Sequence, residues 1–90
     1  MPERTAVKEV LRLLEIDDPS ILEELRREGL FEEDWLEPPD AEELRVAITL
    51  VRELGVNPAG VGVALQLRRR VLALQEITER SLRRLLSELG

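Results

Sequence analysis

An all-α fold is what this sequence predicts, on three observations. Apolar residues recur at intervals of three and four, Asp-Pro, Gly and Pro-Pro groups punctuate the chain, and the stretch after Asn57-Pro58 reads as one leucine-rich helix. Eighteen of the 90 residues are leucine and 43% are hydrophobic, enough for one packed core in one domain. Within that single domain, residues 1–56 are expected to form a helix-turn-helix with a third helix, and residues 57–90 a long C-terminal helix.

The first helix is expected from about Ala6 to Glu15, with Thr5 as its N-cap. Val7, Val10, Leu11 and Leu14 fall on one face at i, i+3, i+4 and i+7. Asp17-Asp18-Pro19 breaks the chain and restarts it: Asp18 suits the cap, and Pro19 suits the first helical position, where its missing N–H costs nothing. The second helix, Pro19–Glu28, turns Ile21, Leu22 and Leu25 inward and stops at Gly29, which tolerates a left-handed conformation. Two short helices so closely joined read as a helix-turn-helix. Residues 30–39 form a connection ending in Pro38-Pro39, which do not suit a helix interior. Asp40 is then expected to open the third helix, with Glu43 completing a reciprocal capping box. Leu44, Ala47, Ile48, Val51 and Leu54 would be its buried face, Gly55 its end, and Val56 a residue packing back on Val51.

Asn57-Pro58 caps and starts the fourth helix, which reads as unbroken to Leu89. Such a helix is about 48 Å long, whereas a globule of this length has a radius of gyration of about 12 Å. The helix must therefore overhang its domain. Leu67, Val71, Leu74, Leu82, Leu85 and Leu89 line its distal part, interrupted by Thr78. An overhanging apolar stripe needs a partner, most simply a second copy in a homodimer. The alternative is a bend near Gln75–Ser81 that folds the stripe back on its own core.

Composition narrows the function. The chain has no His, Cys or Tyr and a single lysine, Lys8, so nothing activates Thr5, Ser20, Thr49, Thr78, Ser81 or Ser87 as nucleophiles. Nineteen carboxylates on a small helical protein are expected to be solvated surface rather than acid–base machinery, and the chain is not expected to be an enzyme. Asp17-Asp18 and Glu32-Glu33-Asp34 lack the alternating ligands of a calcium loop, and Gly55-x4-Gly60-x-Gly62 precedes no Lys-Ser/Thr pair, so no metal or other cofactor is expected. The lack of a long apolar run, of a signal peptide and of cysteine fits a cytoplasmic protein.

Charge is uneven. Residues 1–40 carry five basic and thirteen acidic side chains, a net of −8, while residues 41–90 carry eight and six, a net of +2. DNA affinity comes mostly from Lys and Arg neutralising phosphates. Here the candidate reading helix sets Arg26 and Arg27 against Glu23, Glu24 and Glu28, and the would-be wing, Leu30–Asp40, holds five acidic residues and no basic one. That wing repels DNA and favours a basic partner. Arg68-Arg69-Arg70 is the one basic run, and on a helix three adjacent arginines spread around the circumference, which suits a solvated role better than a phosphate track.

The segment Leu54-Gly55-Val56-Asn57-Pro58-Ala59-Gly60-Val61 resembles the LGVN-x-AGV segment of MerR-like regulators of the HspR type. It resembles more closely that of the related chaperone modulators of the CbpM type. Trp35 sits where those modulators often place a tryptophan after the helix-turn-helix, and Glu28-Gly29-Leu30 is similar to the close of their second helix. The Arg-x-Tyr wing signature of DNA-binding MerR members is missing, and Pro58 stands where leucine is more usual. The resemblance implies a MerR-like helix-turn-helix and a partner, the J-domain of a DnaJ-like co-chaperone, whose stimulation of a DnaK-type chaperone would be restrained. Helix II of J-domains is typically basic, so an acidic half is its physical complement. Glu23, Glu24, Glu28, Glu32, Glu33 and Asp34 are then the expected steering residues, and Trp35 is either an apolar anchor for the partner or a plug in the chain's own core. The alternative within the resemblance is a DNA-binding repressor.

Overall fold

The computed structural model describes residues 3–90. Four helices carry the fold: α1 (Val7–Leu13), α2 (Ser20–Arg27), α3 (Pro38–Leu54) and α4 (Pro58–Leu89). The helical periodicity of the sequence is thus expressed, with one addition it did not signal. Two short strands, β1 (Thr5–Ala6) and β2 (Trp35–Leu36), pair antiparallel with Thr5 opposite Leu36 and Ala6 opposite Trp35. The Val7 N–H extends the ladder by donating to the Asp34 carbonyl at 2.9 Å. Thr5 is therefore not the cap of α1. Ala6, in extended conformation, occupies that position without a side-chain cap, because Thr5 is spent on the strand.

α1 and α2 end alike. Glu15 donates to the Arg12 carbonyl and Ile16 to that of Leu11, while Gly29 donates to Arg26 and Leu30 to Leu25. Both sets are the paired reverse bonds of a Schellman close, with Glu15 (φ 58°) and Gly29 (φ 78°) in the left-handed region. α2 starts at Ser20 with Pro19, expected as its first residue, in the N-cap position; Asp18 stands one residue further out, its Oδ1 accepting the Ser20 N–H at 2.9 Å. α3 begins two residues before Asp40: Glu37 is the N-cap and Pro38-Pro39 fill the first turn, where no N–H is needed. Glu43 accordingly does not complete a capping box, and its side chain is buried elsewhere.

Val7, Val10, Leu25, Leu36, Leu44, Ala47, Ile48, Val61 and Leu65 make the core, with Leu11, Leu14, Ile21, Leu22 and Phe31 packed around it. All four helices and β2 contribute. Leu54, expected inside, is exposed, since α3 has by then run past the elements it packs on. Gly55 (φ 66°) turns the chain, and the Leu50 carbonyl accepts both the Gly55 and Val56 N–H groups.

α4 is continuous. Only Val61 and Leu65 of it are buried, and every residue from Val71 onward is exposed. The radius of gyration of 16.5 Å and longest extent of 55 Å record the overhang.

Candidate partner-binding surface

Three residues shape the connection between α2 and β2. Gly29 and Phe31 both take left-handed backbone, Phe31 at φ 52°, and Arg26 lies over the loop they form. The Arg26 Nε donates to the Phe31 carbonyl at 2.8 Å and its Nη2 to the Glu33 carbonyl at 3.2 Å, with Asp34 Oδ1 at 3.3 Å. β2 holds the far end of the loop through its ladder with β1. Glu32, Glu33, Asp34 and Trp35 emerge from this frame as four consecutive exposed side chains.

Trp35 is 61% exposed, so it does not plug the core. Its inward neighbour Leu36 does that instead, 4% exposed, because alternate residues of a strand face opposite ways. The indole stands between two shallow grooves, one lined by Val7, Leu22, Arg26 and Asp34, the other by Leu30, Phe31, Glu32 and Glu33.

The acidic residues of α2 do not all join this surface. Glu23, Glu24 and Glu28 are exposed, but Glu24 and Glu28 stand two residues either side of Arg26. That offset places them roughly 160° around the helix from the side that faces the connection. Glu23 lies nearer to the Arg26 side. The structure thus gathers Glu32, Glu33, Asp34 and Trp35 and leaves Glu24 and Glu28 apart.

Beneath the second groove lies an ion pair that the sequence did not disclose. Glu43 of α3, 6% exposed, accepts two hydrogen bonds from Arg69 of α4, at 2.7 Å from Nε and 2.6 Å from Nη2. The hydrogen bonds and negative charge of Glu43 raise the Arg69 pKa further above its already high ordinary value. A carboxylate this buried requires such a bidentate partner. Arg69 is therefore tied to its own domain, while Arg68 and Arg70 flank it on other sides of the helix.

The stripe of α4 is a second surface. Leu67, Val71, Leu74, Leu82, Leu85 and Leu89 are between 52% and 84% exposed. Val63, also exposed, belongs to the same stripe, and it stands within the half of α4 whose other side buries Val61 and Leu65. At 100° per residue, stripe and core face are roughly 120–130° apart. The helix is thus apolar on two distinct sides. The stripe is also symmetric in sequence: Leu74 and Leu82, Val71 and Leu85, Leu67 and Leu89 lie four, seven and eleven residues either side of Thr78.

Among the described residues no helix is long and apolar enough to cross a membrane, and no group of three or more His, Cys, Asp or Glu is placed to hold a metal ion. Arg26, Phe31 and the Glu43–Arg69 pair were invisible to sequence reasoning. The nearest signal was an arginine in the last turn before a C′ glycine, a common arrangement at helix ends. No family model, curated protein or solved structure matches the chain.

Proposed function

We propose that this chain is a chaperone modulator of the CbpM type, built on a MerR-like helix-turn-helix, acting in the cytoplasm as a homodimer that binds the J-domain of a DnaJ-like co-chaperone. The observation that carries the reading is the cluster of Glu32, Glu33 and Asp34 around an exposed Trp35. Carboxylates at the rim steer a basic helix and set its association rate, while a half-exposed tryptophan between grooves supplies an apolar anchor. Occupation of that helix would restrain the co-chaperone by occlusion. Arg69 weighs against a DNA-binding repressor, because its fork is already engaged by Glu43 and one third of the only basic run is spent.

A second copy suits the α4 stripe. Folding back would need a bend, and α4 has none. The symmetry about Thr78 lets an antiparallel partner match each apolar residue with another. Burying the exposed parts of six side chains per copy removes on the order of 1,000 Å² from water, about what a specific interface requires.

Stopped-flow association with a J-domain tests the reading. Reversal of Glu32, Glu33 and Asp34 to Lys is expected to slow association roughly tenfold at low salt and flatten its salt dependence, with circular dichroism unchanged. Variants that associate as fast as the wild type would overturn it.

A further inference from the structure

Arg26 is the side chain that gives the connection its conformation. Only 32% of that side chain is exposed, and its guanidinium meets the loop at the Phe31 carbonyl, the Glu33 carbonyl and the Asp34 carboxylate. Phe31 needs such help. At φ 52° it occupies left-handed backbone, which is unfavourable for a bulky residue. The shortest of the Arg26 hydrogen bonds, 2.8 Å, falls on the carbonyl of that same residue. If Phe31 relaxed to an ordinary negative φ, Glu32, Glu33 and Asp34 would change direction relative to Trp35, which the ladder with β1 holds in place.

We infer that Arg26 is a positioning residue: its guanidinium holds the left-handed turn at Phe31 and so presents Glu32, Glu33 and Trp35 as one surface to a basic partner. The partner belongs to the function proposed above, while the hold on the turn does not depend on it. Geometry rather than charge is what Arg26 supplies. Lysine keeps the positive charge, but a single ammonium cannot span two carbonyls and a carboxylate in the fixed fork of a guanidinium.

Arg26→Lys and Arg26→Gln in the full chain test this, with native-state hydrogen exchange and J-domain affinity as readouts. The reporting amide is that of Val7, which donates to the Asp34 carbonyl at the end of the held loop. In both variants Val7 is expected to exchange roughly tenfold faster, the loss of charged hydrogen bonds being worth about that factor, while amides of α3 exchange as before. J-domain affinity should fall by a similar roughly tenfold factor in both. Lys behaving like wild type would reduce the role to charge, and unchanged Val7 exchange in the Gln variant would overturn the inference altogether. Should the Gln variant lose helix content, the Lys variant alone decides between these results. A J-domain that fails to bind wild-type protein, with Val7 still accelerated in both variants, would remove the partner and leave the hold on the turn standing.

Discussion

Glu15 and Gly29 occupy the same place at the ends of successive helices, with the same hydrogen-bond pattern and nearly the same φ, yet only one is glycine. The Cβ of Glu15 carries a steric cost there that Gly29 avoids. Glu15→Gly is therefore expected to stabilise the fold by about 0.5–1 kcal/mol, the relief of left-handed strain exceeding the added freedom of the unfolded chain; urea unfolding measures it. The Glu43–Arg69 pair behaves differently. Arg69→Met leaves a buried carboxylate without its partner and should cost about 1–3 kcal/mol, less than a fully buried pair because Arg69 is 58% exposed. Adding Glu43→Leu to that variant should recover most of the loss, which a double-mutant cycle by urea unfolding resolves.

The octet from Leu54 to Val61 turns out to be a joint between helices. Gly55 makes the left-handed turn, Asn57 Oδ1 caps α4 by accepting the Gly60 N–H at 2.7 Å, Pro58 fills the first turn, and Val61 is fully buried. A Cβ on Gly60 would lie 2.9 Å from Val56 Cγ1 and 3.3 Å from Asn57 Oδ1, so no larger residue fits without moving one of them. Gly55, Val56, Asn57, Pro58, Gly60 and Val61 of the octet thus have roles in the chain's own architecture, while Leu54 is exposed. The helices also share one acid-sensitive feature. Hydrogen bonding and charge from Arg12 lower the pKa of Glu9, hydrogen bonds from Ser20 lower that of Asp18, and Arg45 lowers that of Glu42. A depressed carboxylate contributes stability above its unfolded pKa and loses it as pH falls through the folded value. With no histidine in the chain, the melting temperature is expected to stay flat from about pH 6 to 8 and to decline below about pH 4.5, as thermal melts across pH will show.

At the scale of the molecule, α4 decides what can assemble. One side of it completes the core through Val61 and Leu65, and a distinct side offers the stripe from Leu67 to Leu89 to something else. Light scattering at tens of micromolar should return a dimer, and joint replacement of Leu74 and Leu85 by Glu should yield monomers with lower helicity. Wild-type monomer at that concentration would defeat the dimer.

Helix number, the breaks at Asp18-Pro19, Gly29 and Gly55, the Asn57 cap and the length of α4 were legible in the sequence, because spacing, caps and left-handed turns are set by neighbouring residues. The acidic run, the stripe and the overhang that exposes it were legible too. What the tertiary structure alone decided was longer-range. β1 found β2 across thirty residues, a pair too short to leave a periodic trace. Glu43 met Arg69 across twenty-six, overriding its local option as a cap once α3 began at Pro38. Leu36 went into the core and left Trp35 outside, a choice made by the register of the ladder rather than by hydrophobicity. Arg26 reached the carbonyls of a loop whose shape existed only after β2 was held. Local propensity is written in adjacent residues, whereas these pairings depend on which surfaces the packed helices bring within hydrogen-bond range.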